Sequence, residues 1–273
     1  FFMTHEGQYD NMNAFFRTNG YDEVFSQEDY PADKVVNSFG VQDDFLYDYA
    51  IPVLNQRAAT GQPFFATLLS ISNHPPYVIP PFFHPKTSEP ETQIVEYADW
   101  ALRQFFEEAR KQPWFDNTIF VLEGDHGKLV GDAECELPES YNHIPLMIYS
   151  SRIQPEEKTA FGGQVDIQPT ILGLLNIDYL QNNFGVDLLK EERPCMFYTA
   201  DNMVVGRNDT LLYLYNYETQ QELTYDIGNG KLNAVPMDDS FLPLKEYSFS
   251  MLQSAEFLVK HGKTLNSIPF TQQ

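Results

Sequence analysis

The chain alternates between stretches with apolar residues at helical spacing and short runs of continuous apolar residues. The clearest helix is predicted over residues 91–112, where apolar residues recur every three or four positions. Four further helices are predicted by the same spacing, over residues 10–20, 43–59, 166–175 and 245–261. Three continuous apolar runs are typical of strands buried on both faces, and they cover residues 64–71, 117–122 and 144–149. Helices that alternate with buried strands favour an α/β fold with a largely parallel sheet.

The pattern changes after Asp187. Short, aromatic-rich segments follow at 195–200, 210–217 and 222–226, and polar turns separate them. These segments predict a small antiparallel sheet ahead of the last helix. We therefore expect the main α/β domain over residues 1–190 and a small antiparallel β subdomain with a terminal helix over residues 191–273.

The composition restricts the kinds of partner that the protein can bind. Hydrophobic residues make up 42% of the chain, which is the level of a folded globular protein. The chain has 17 Lys and Arg against 39 Asp and Glu, so its net charge of −22 should repel nucleic acid. An anionic substrate would therefore need a local positive centre, and a bound cation would provide one.

The sequence shows no signal peptide and no apolar run of about 18 residues that would predict a membrane span. Its two cysteines, Cys135 and Cys195, form no CxxC pattern and do not predict a zinc knuckle. Whether they pair with each other is left open by their spacing.

The most informative segment places Asp125 and His126 directly after the apolar run that ends at Leu122, between two glycines. In open parallel sheets, ligand sites gather beyond the carboxyl ends of the strands. A carboxylate oxygen beside an imidazole nitrogen suits Zn²⁺, Mn²⁺ or Mg²⁺. The alternative is a simple turn in which the Asp caps the backbone, because two ligands alone do not complete a metal site.

The segments around this turn resemble, in order, the sulfatase-like and lipoteichoic-acid-synthase-like branch of the alkaline phosphatase superfamily. The matching landmarks are Trp-Phe-Asp-Asn-Thr at 114–118, Gly-Asp-His-Gly at 124–127, His-Ile-Pro-Leu at 143–146, Val-Asp-Ile-Gln-Pro-Thr at 165–170 and Gly-Val-Asp-Leu-Leu at 185–189. The resemblance implies an alkaline-phosphatase-like three-layer α/β sandwich. It also implies one divalent cation, Mn²⁺, Mg²⁺ or Zn²⁺, held by Asp125 and His126.

The resemblance also assigns His74, because Ser-Asn-His-Pro-Pro-Tyr at 72–77 resembles a segment whose histidine faces the substrate. We expect His74 to be catalytic, either by donating a hydrogen bond to a phosphoryl oxygen or by protonating the leaving alkoxide. A loop histidine stacked on Pro75 and Pro76 is the alternative.

Three further residues are predicted to contact the substrate. Residues 4–12 resemble a segment that lines the headgroup pocket of the branch, which makes His5 and Glu6 substrate contacts or, alternatively, a polar strand end. His143 precedes a predicted strand, so it either reaches the same cleft or caps the sheet.

Asp166 begins a predicted helix, and we expect it to act as the N-cap.

The nucleophile of the branch is a Thr in the synthases, or a modified Cys or Ser followed by x-Pro-x-Arg in sulfatases. Neither is matched within residues 1–273, so we expect the nucleophile and an acidic metal ligand to lie upstream of Phe1. A degenerate member of the family is the alternative. In either case we expect this chain alone to turn over little substrate.

The resemblance implies an extracytoplasmic, metal-dependent phosphotransferase or hydrolase that acts on phospholipid headgroups or phosphodiesters, in the manner of a phosphoglycerol transferase. It further implies a bacterial inner-membrane protein whose anchor lies in a missing N-terminal segment. One alternative is a hydrolase of sulfate or phosphate esters on the same fold. Another is a non-catalytic ligand-binding domain.

Overall fold

The structure is a computed structural model in which residues 1–129 and 132–264 are described. The chain folds as two units. The first comprises Phe1–Val121 with Ile148–Ile153, and the second comprises Leu122–Met147 with the chain from Gln154 onward. The boundary at residue 190 stays a prediction, and residues 265–273 of the predicted subdomain lie outside the described part of the chain.

The first unit combines three helices with short strands. Its helices are α1 (Met12–Thr18), α2 (Asp43–Ala59) and α3 (Pro90–Ala109), which confirm the three helices predicted in this region. Its first four strands are β1 (Phe2–Met3), β2 (Val35–Asn37), β3 (Gly40–Val41) and β4 (Leu68–Leu69). Strands β1 and β4 are parallel, with Phe2 opposite Leu68. The predicted parallel sheet is thus seen in part.

The core of the first unit lies between α2 and α3. Leu46, Ala50 and Leu54 recur every four residues on α2 and are buried together with Phe105 and Ala109 of α3. This spacing places all three α2 side chains on one face of that helix. This repeat of small and branched apolar side chains is therefore the physical reason why that face of α2 packs on α3.

The strand predicted over residues 64–71 is shorter and less buried than expected. Strand β4 covers Leu68–Leu69 alone, and Phe64 and Phe65 are 37% and 75% exposed. Within the described residues β4 pairs only with β1, so it has no second neighbour to shield the residues that precede it. The prediction of a strand was right, but the prediction that both faces are buried was wrong.

Two further strands lie where the sequence predicts them and lead to the candidate site. They are β5 (Phe120–Glu123) and β6 (Leu146–Tyr149), which form a two-stranded sheet. Their predicted burial on both faces was wrong, because β5 is only partly buried and Met147 of β6 is 55% exposed. Beyond their ends, the backbone N–H of Gly124 donates to the carbonyl of Pro145 at 3.4 Å. The residues after β5 are therefore tied to those before β6.

The second unit contains α4 (Ile167–Leu174), an antiparallel sheet and a terminal helix, α5 (Leu242–Lys260). The sheet has five strands in the order β11-β10-β9-β8-β7: β7 (Met196–Ala200), β8 (Met203–Arg207), β9 (Leu211–Asn216), β10 (Gln221–Asp226) and β11 (Asn233–Ala234). The predicted antiparallel sheet and terminal helix are confirmed. Strands β8 and β11 were not predicted.

Helix α5 packs closely on β8. Ser248 of α5 donates its hydroxyl proton to the carbonyl of Val205 at 3.3 Å. A Cβ on Gly206 would lie 2.5 Å from the Ser248 hydroxyl oxygen, so glycine permits this approach.

Cys135 and Cys195 are both free thiols. Among the helices of residues 1–129 and 132–264, none has the length and apolar content needed to cross a bilayer.

Candidate functional site

The predicted site residues fall in both units. His5, Glu6 and His74 belong to the first unit, and Asp125, His126 and His143 belong to the second.

Asp125 and His126 lie on an exposed turn directly after β5, with side chains that are 70% and 67% exposed. Asp125 Oδ1 accepts the backbone N–H of His126 at 2.9 Å, while Asp125 Oδ2 lies 3.8 Å from His126 Nε2. His126 Nδ1 lies 2.7 Å from the carbonyl oxygen of Gly127. Because a carbonyl oxygen can only accept, Nδ1 carries the proton and the neutral ring keeps its lone pair on Nε2.

The lone pairs on Asp125 Oδ2 and His126 Nε2 suit a shared divalent cation, whose bonds to such atoms are about 2.0–2.2 Å long. A metal-binding histidine ordinarily donates its other ring N–H to a carboxylate or carbonyl, as His126 does to Gly127. Within the described residues, no group of three or more His, Cys, Asp or Glu side chains is placed to hold a metal ion. The pair therefore fits a cation as part of a shell, and further ligands are needed.

A neighbouring carboxylate adds negative charge to the turn. The pKa of Glu123 is raised above its usual range, chiefly by loss of solvation and next by the charge of Asp125. This electrostatic environment favours a cation over an anion.

Gln164 supports the backbone of the turn, because its side-chain amide donates to the carbonyls of Gly124 and Asp125 at 3.2 and 3.0 Å. The contribution of Gln164 was missed from the sequence, since it lies about forty residues away along the chain.

Gly127 ends the turn against the segment that carries His143. Its N–H donates to the carbonyl of Tyr141 at 2.9 Å. A Cβ on Gly127 would lie 1.9 Å from the carbonyl oxygen of Ser140, so only glycine allows the two segments to approach so closely. Because the other end of the turn is tied to Pro145, the exposed His143 is held beside the Asp125 and His126 turn.

Asp166 does not cap α4 with its side chain, and that prediction was wrong. It occupies the N-cap position and is fully buried, but its carboxylate accepts no hydrogen bond from the helix. It accepts instead from the backbone N–H groups of Gly163 and Val186 and from Nε of Arg193, each at 2.8 Å. A buried carboxylate is far more stable beside a guanidinium than alone. Arg193 comes 27 residues later, so no local pattern indicates the pair.

In the first unit, His74 is held on two sides. Its Nδ1 lies 2.7 Å from the carbonyl oxygen of Pro75, which again requires a proton on Nδ1 and leaves Nε2 available. Its ring contacts Phe39 at a centroid distance of 4.2 Å and an interplanar angle of 43°. Phe39 was not singled out from the sequence, because nothing in its local pattern indicates a histidine partner.

Asp43 anchors the loop that carries His74. It is 2% exposed and is the first residue of α2. Its Oδ1 accepts the backbone N–H groups of Ile71 and Ser72 at 2.9 and 3.0 Å. Burial raises the pKa of Asp43 above its usual range, although these two hydrogen bonds act to lower it. Asp43 therefore fixes the backbone just before His74.

His5 is 1% exposed, and its Nδ1 donates to the carbonyl of Glu6 at 3.1 Å. Its ring lies 4.6 Å from the ring of Tyr9, which in turn lies 6.1 Å from Phe39. His5 and His74 are thus joined through a series of contacting rings. Glu6 is exposed beside this series.

Comparisons with known proteins show the class of fold. The chain matches a protein in the alkaline phosphatase superfamily from Vibrio parahaemolyticus with a TM-score of 0.81 and 26% identity, over 93% of this chain and 64% of that one. It matches the lipoteichoic acid synthase LtaP from Listeria monocytogenes with a TM-score of 0.79 and 22% identity, over 95% of this chain and 69% of that one. The alkaline-phosphatase-like fold is therefore confirmed.

The family follows from the sequence comparison. The model of the Sulfatase family matches residues 1–177, and the chain belongs to this family. It is also 26% identical over 243 residues to lipoteichoic acid synthase 1 from Bacillus subtilis, covering 81% of this chain and 36% of that relative. The chain spans about a third of the length of the curated lipoteichoic acid synthases that it matches. These relationships mark it as a Sulfatase-family chain that is similar to lipoteichoic acid synthases.

Proposed function

We propose that the chain forms part of an extracytoplasmic, metal-dependent enzyme that transfers phosphoester groups from phospholipid headgroups or other phosphodiesters. One observation carries the proposal: Asp125 Oδ2 and His126 Nε2 each have a lone pair available and lie 3.8 Å apart on a glycine-flanked turn. The similarity to lipoteichoic acid synthase 1 supports the phosphodiester substrate class. The net charge of −22 makes a cation necessary if an anionic substrate is to bind.

In this proposal Asp125 and His126 hold one divalent cation, Mn²⁺, Mg²⁺ or Zn²⁺, together with ligands from elsewhere. The cation supplies positive charge to the oxygens of the transferring phosphoryl group. Asp125 would contribute Oδ2, since Oδ1 already accepts the backbone N–H of His126 and Oδ2 lies nearer to His126 Nε2 in this arrangement, at 3.8 Å. His126 contributes only Nε2, because its Nδ1 donates to Gly127.

His74 assists the leaving group through Nε2. Its Nδ1–H is committed to the carbonyl of Pro75, so only the doubly protonated ring can donate from Nε2. When the imidazolium gives its Nε2 proton to the leaving alkoxide, the neutral Nδ1–H ring remains, and the Pro75 carbonyl holds the ring in the same orientation before and after the transfer. His5, Glu6 and His143 are proposed as substrate contacts.

The proposal assigns the nucleophile, a Thr that forms a covalent phospho-intermediate, and the membrane anchor to parts of a longer protein. The greater length of the curated relatives supports this assignment. Activity is accordingly to be measured on the full-length protein.

The test is phosphodiester turnover by the full-length protein in Mn²⁺, Mg²⁺ or Zn²⁺. Asp125→Asn and His126→Gln are each expected to lower turnover by at least about 100-fold, because each removes a ligand from the cation. His261→Gln is the matched control, since that histidine is an exposed residue at the end of α5. Full activity in both site variants would remove Asp125 and His126 from the active site.

The match to the Sulfatase family favours a second candidate, a hydrolase of sulfate or phosphate esters on the same fold. Assays of an aryl sulfate and a glycerophosphodiester on one preparation separate the two. Preference for the sulfate ester, with a Cys or Ser nucleophile in the full-length protein, would replace the transferase proposal. Absence of turnover on either substrate would favour a ligand-binding domain.

A further inference from the structure

Arg207 presents a cation at a fixed place on the antiparallel sheet. It is the last residue of β8, with Met196 of β7 and Leu212 of β9 as its neighbours across the sheet. Its guanidinium lies over the ring of Phe161, 5.1 Å from the centroid, and its Nε donates to the carboxylate of Glu139. A planar guanidinium that stacks and donates together is held in one orientation.

Glu139 is tied in two directions. Its side chain is held by Arg207, while its carbonyl oxygen accepts the backbone N–H groups of Asn142 and His143 at 2.9 and 2.8 Å. Two residues earlier, Leu137 is 2% exposed in the core formed with the antiparallel sheet. The backbone from Leu137 to His143 is therefore fixed to the sheet at its start and, through Glu139, at its end.

This same segment forms the surface against which the Asp125 and His126 turn rests. Tyr141 accepts the N–H of Gly127, and the Ser140 carbonyl occupies the space that a side chain at Gly127 would need. A shift of residues 139–141 would consequently move the turn. We infer that Glu139 and Arg207 form a brace through which the antiparallel sheet positions His143 and the turn.

The brace is expected to act locally. Ion pairs with partly exposed partners contribute little to global stability, and the side chains of Arg207 and Glu139 are 27% and 35% exposed. Residues that orient a metal ligand without touching the metal nevertheless change affinity or activity by about 10–100-fold when they are replaced. The effect of breaking the pair should therefore appear at the turn and at His143 before it appears in the melting temperature.

The inference rests on the proposed function in one respect, the assignment of the braced residues to the active site. Amide hydrogen exchange tests the brace itself, because it does not depend on that assignment. In the 273-residue chain, Arg207→Met and Glu139→Met should each accelerate exchange of the Gly127 and His143 amides by about tenfold. The double variant should exchange no faster than either single one, because both remove the same contact. Glu222→Met is the matched control, since it breaks the partly exposed Lys245–Glu222 pair, and it should leave both amides unchanged.

Unchanged exchange at Gly127 and His143 in Glu139→Met, which removes the acceptor and keeps a side chain of similar length, would overturn the brace even if Arg207→Met fails to fold. Additive effects in the double variant would overturn it as well. Turnover by the full-length enzyme separates the two proposals. If Asp125→Asn has no effect on turnover, the proposed function fails while an accelerated exchange still establishes the brace.

Discussion

Gly127→Ala is the substitution for which the structure predicts the sharpest consequence. Gly127 is not one of the glycines with a positive φ angle, so a left-handed conformation is not what requires glycine here. The penalty comes from the new Cβ, which would lie 1.9 Å from the Ser140 carbonyl oxygen, whereas ordinary contact begins at 3.4 Å. Because the obstacle is backbone, it cannot be relieved by a side-chain rotation.

The expected loss of stability follows from two opposing effects. Forcing extra volume against packed backbone costs about 1–3 kcal/mol. Replacing glycine with alanine restricts the unfolded chain and returns roughly 0.4–1 kcal/mol. The two ranges leave a net loss of about 0–2.6 kcal/mol, whose midpoint of about 1.3 kcal/mol corresponds to a melting temperature lower by roughly 3–5 °C for a domain of this size.

The effect on function should be larger than the effect on stability. The turn and the Ser140 segment must separate by more than an ångström to accommodate the Cβ. Displacing catalytic groups by about 1 Å can lower a rate by roughly 100-fold. We expect Gly127→Ala to melt a few degrees below the native chain and to lower phosphodiester turnover of the full-length enzyme by about that factor.

Gly124→Ala is the control at the other end of the turn. Its Cβ would meet the Ile144 side chain at 3.3 Å, a distance that a small adjustment relieves. Thermal unfolding followed by circular dichroism, with turnover measured in parallel, compares the two variants. If they melt alike and retain equal turnover, the close approach of Ser140 to Gly127 is not what requires glycine, and the reasoning is refuted.

Three further outcomes are expected. The raised pKa of Asp43 means that its protonated form stabilises the fold, so this contribution is present below roughly pH 4 and is lost as pH rises through the folded pKa. Asp43→Asn should therefore gain unfolding free energy over the native chain as pH rises, and urea titrations at pH 4 and 8 that show equal differences would contradict this. Arg193→Met should cost about 3–5 kcal/mol by leaving Asp166 buried without its cation, and addition of Asp166→Asn should recover part of that loss in the same titration. Phe39→Ala should remove the ring-current shift that stacking imposes on the ring protons of His74 in NMR spectra, whereas an unchanged shift would argue against that contact.

Features determined by neighbouring residues were largely predictable from the sequence. Helix α2 has the predicted limits, Asp43–Ala59, because apolar residues at helical spacing run through its middle and polar residues begin it. The position of Asp125 and His126 just after β5 was also predictable, since an apolar run that ends in glycine and polar residues indicates the end of a strand. Strand β8 was missed because its apolar run, Met203 to Val205, is only three residues long and ends at Gly206, which is shorter than the runs that indicate a buried strand.

Contacts that depend on distant residues could not be predicted in this way. Arg193 lies 27 residues from Asp166, so this aspartate at a helix start was predicted to be an ordinary cap. Ile71 lies 28 residues from Asp43, and nothing near Asp43 indicated that contact. The ring nitrogen that each candidate histidine leaves without a hydrogen-bond partner could not be predicted from the sequence either. It depends on whether the following carbonyl turns toward Nδ1, as it does at His5, His74 and His126.

The pairing of Arg193 with Asp166 and of Arg207 with Glu139 bears on where the chain can be cut. The matched family region ends at residue 177 and includes every candidate ligand, whereas both arginines come after it. Trimming an expression clone to that region would keep the reactive groups but would leave the carboxylates of Asp166 and Glu139 without their arginine partners. The carboxylate of Asp166 lies in the interior. A minimal clone should therefore extend through α5.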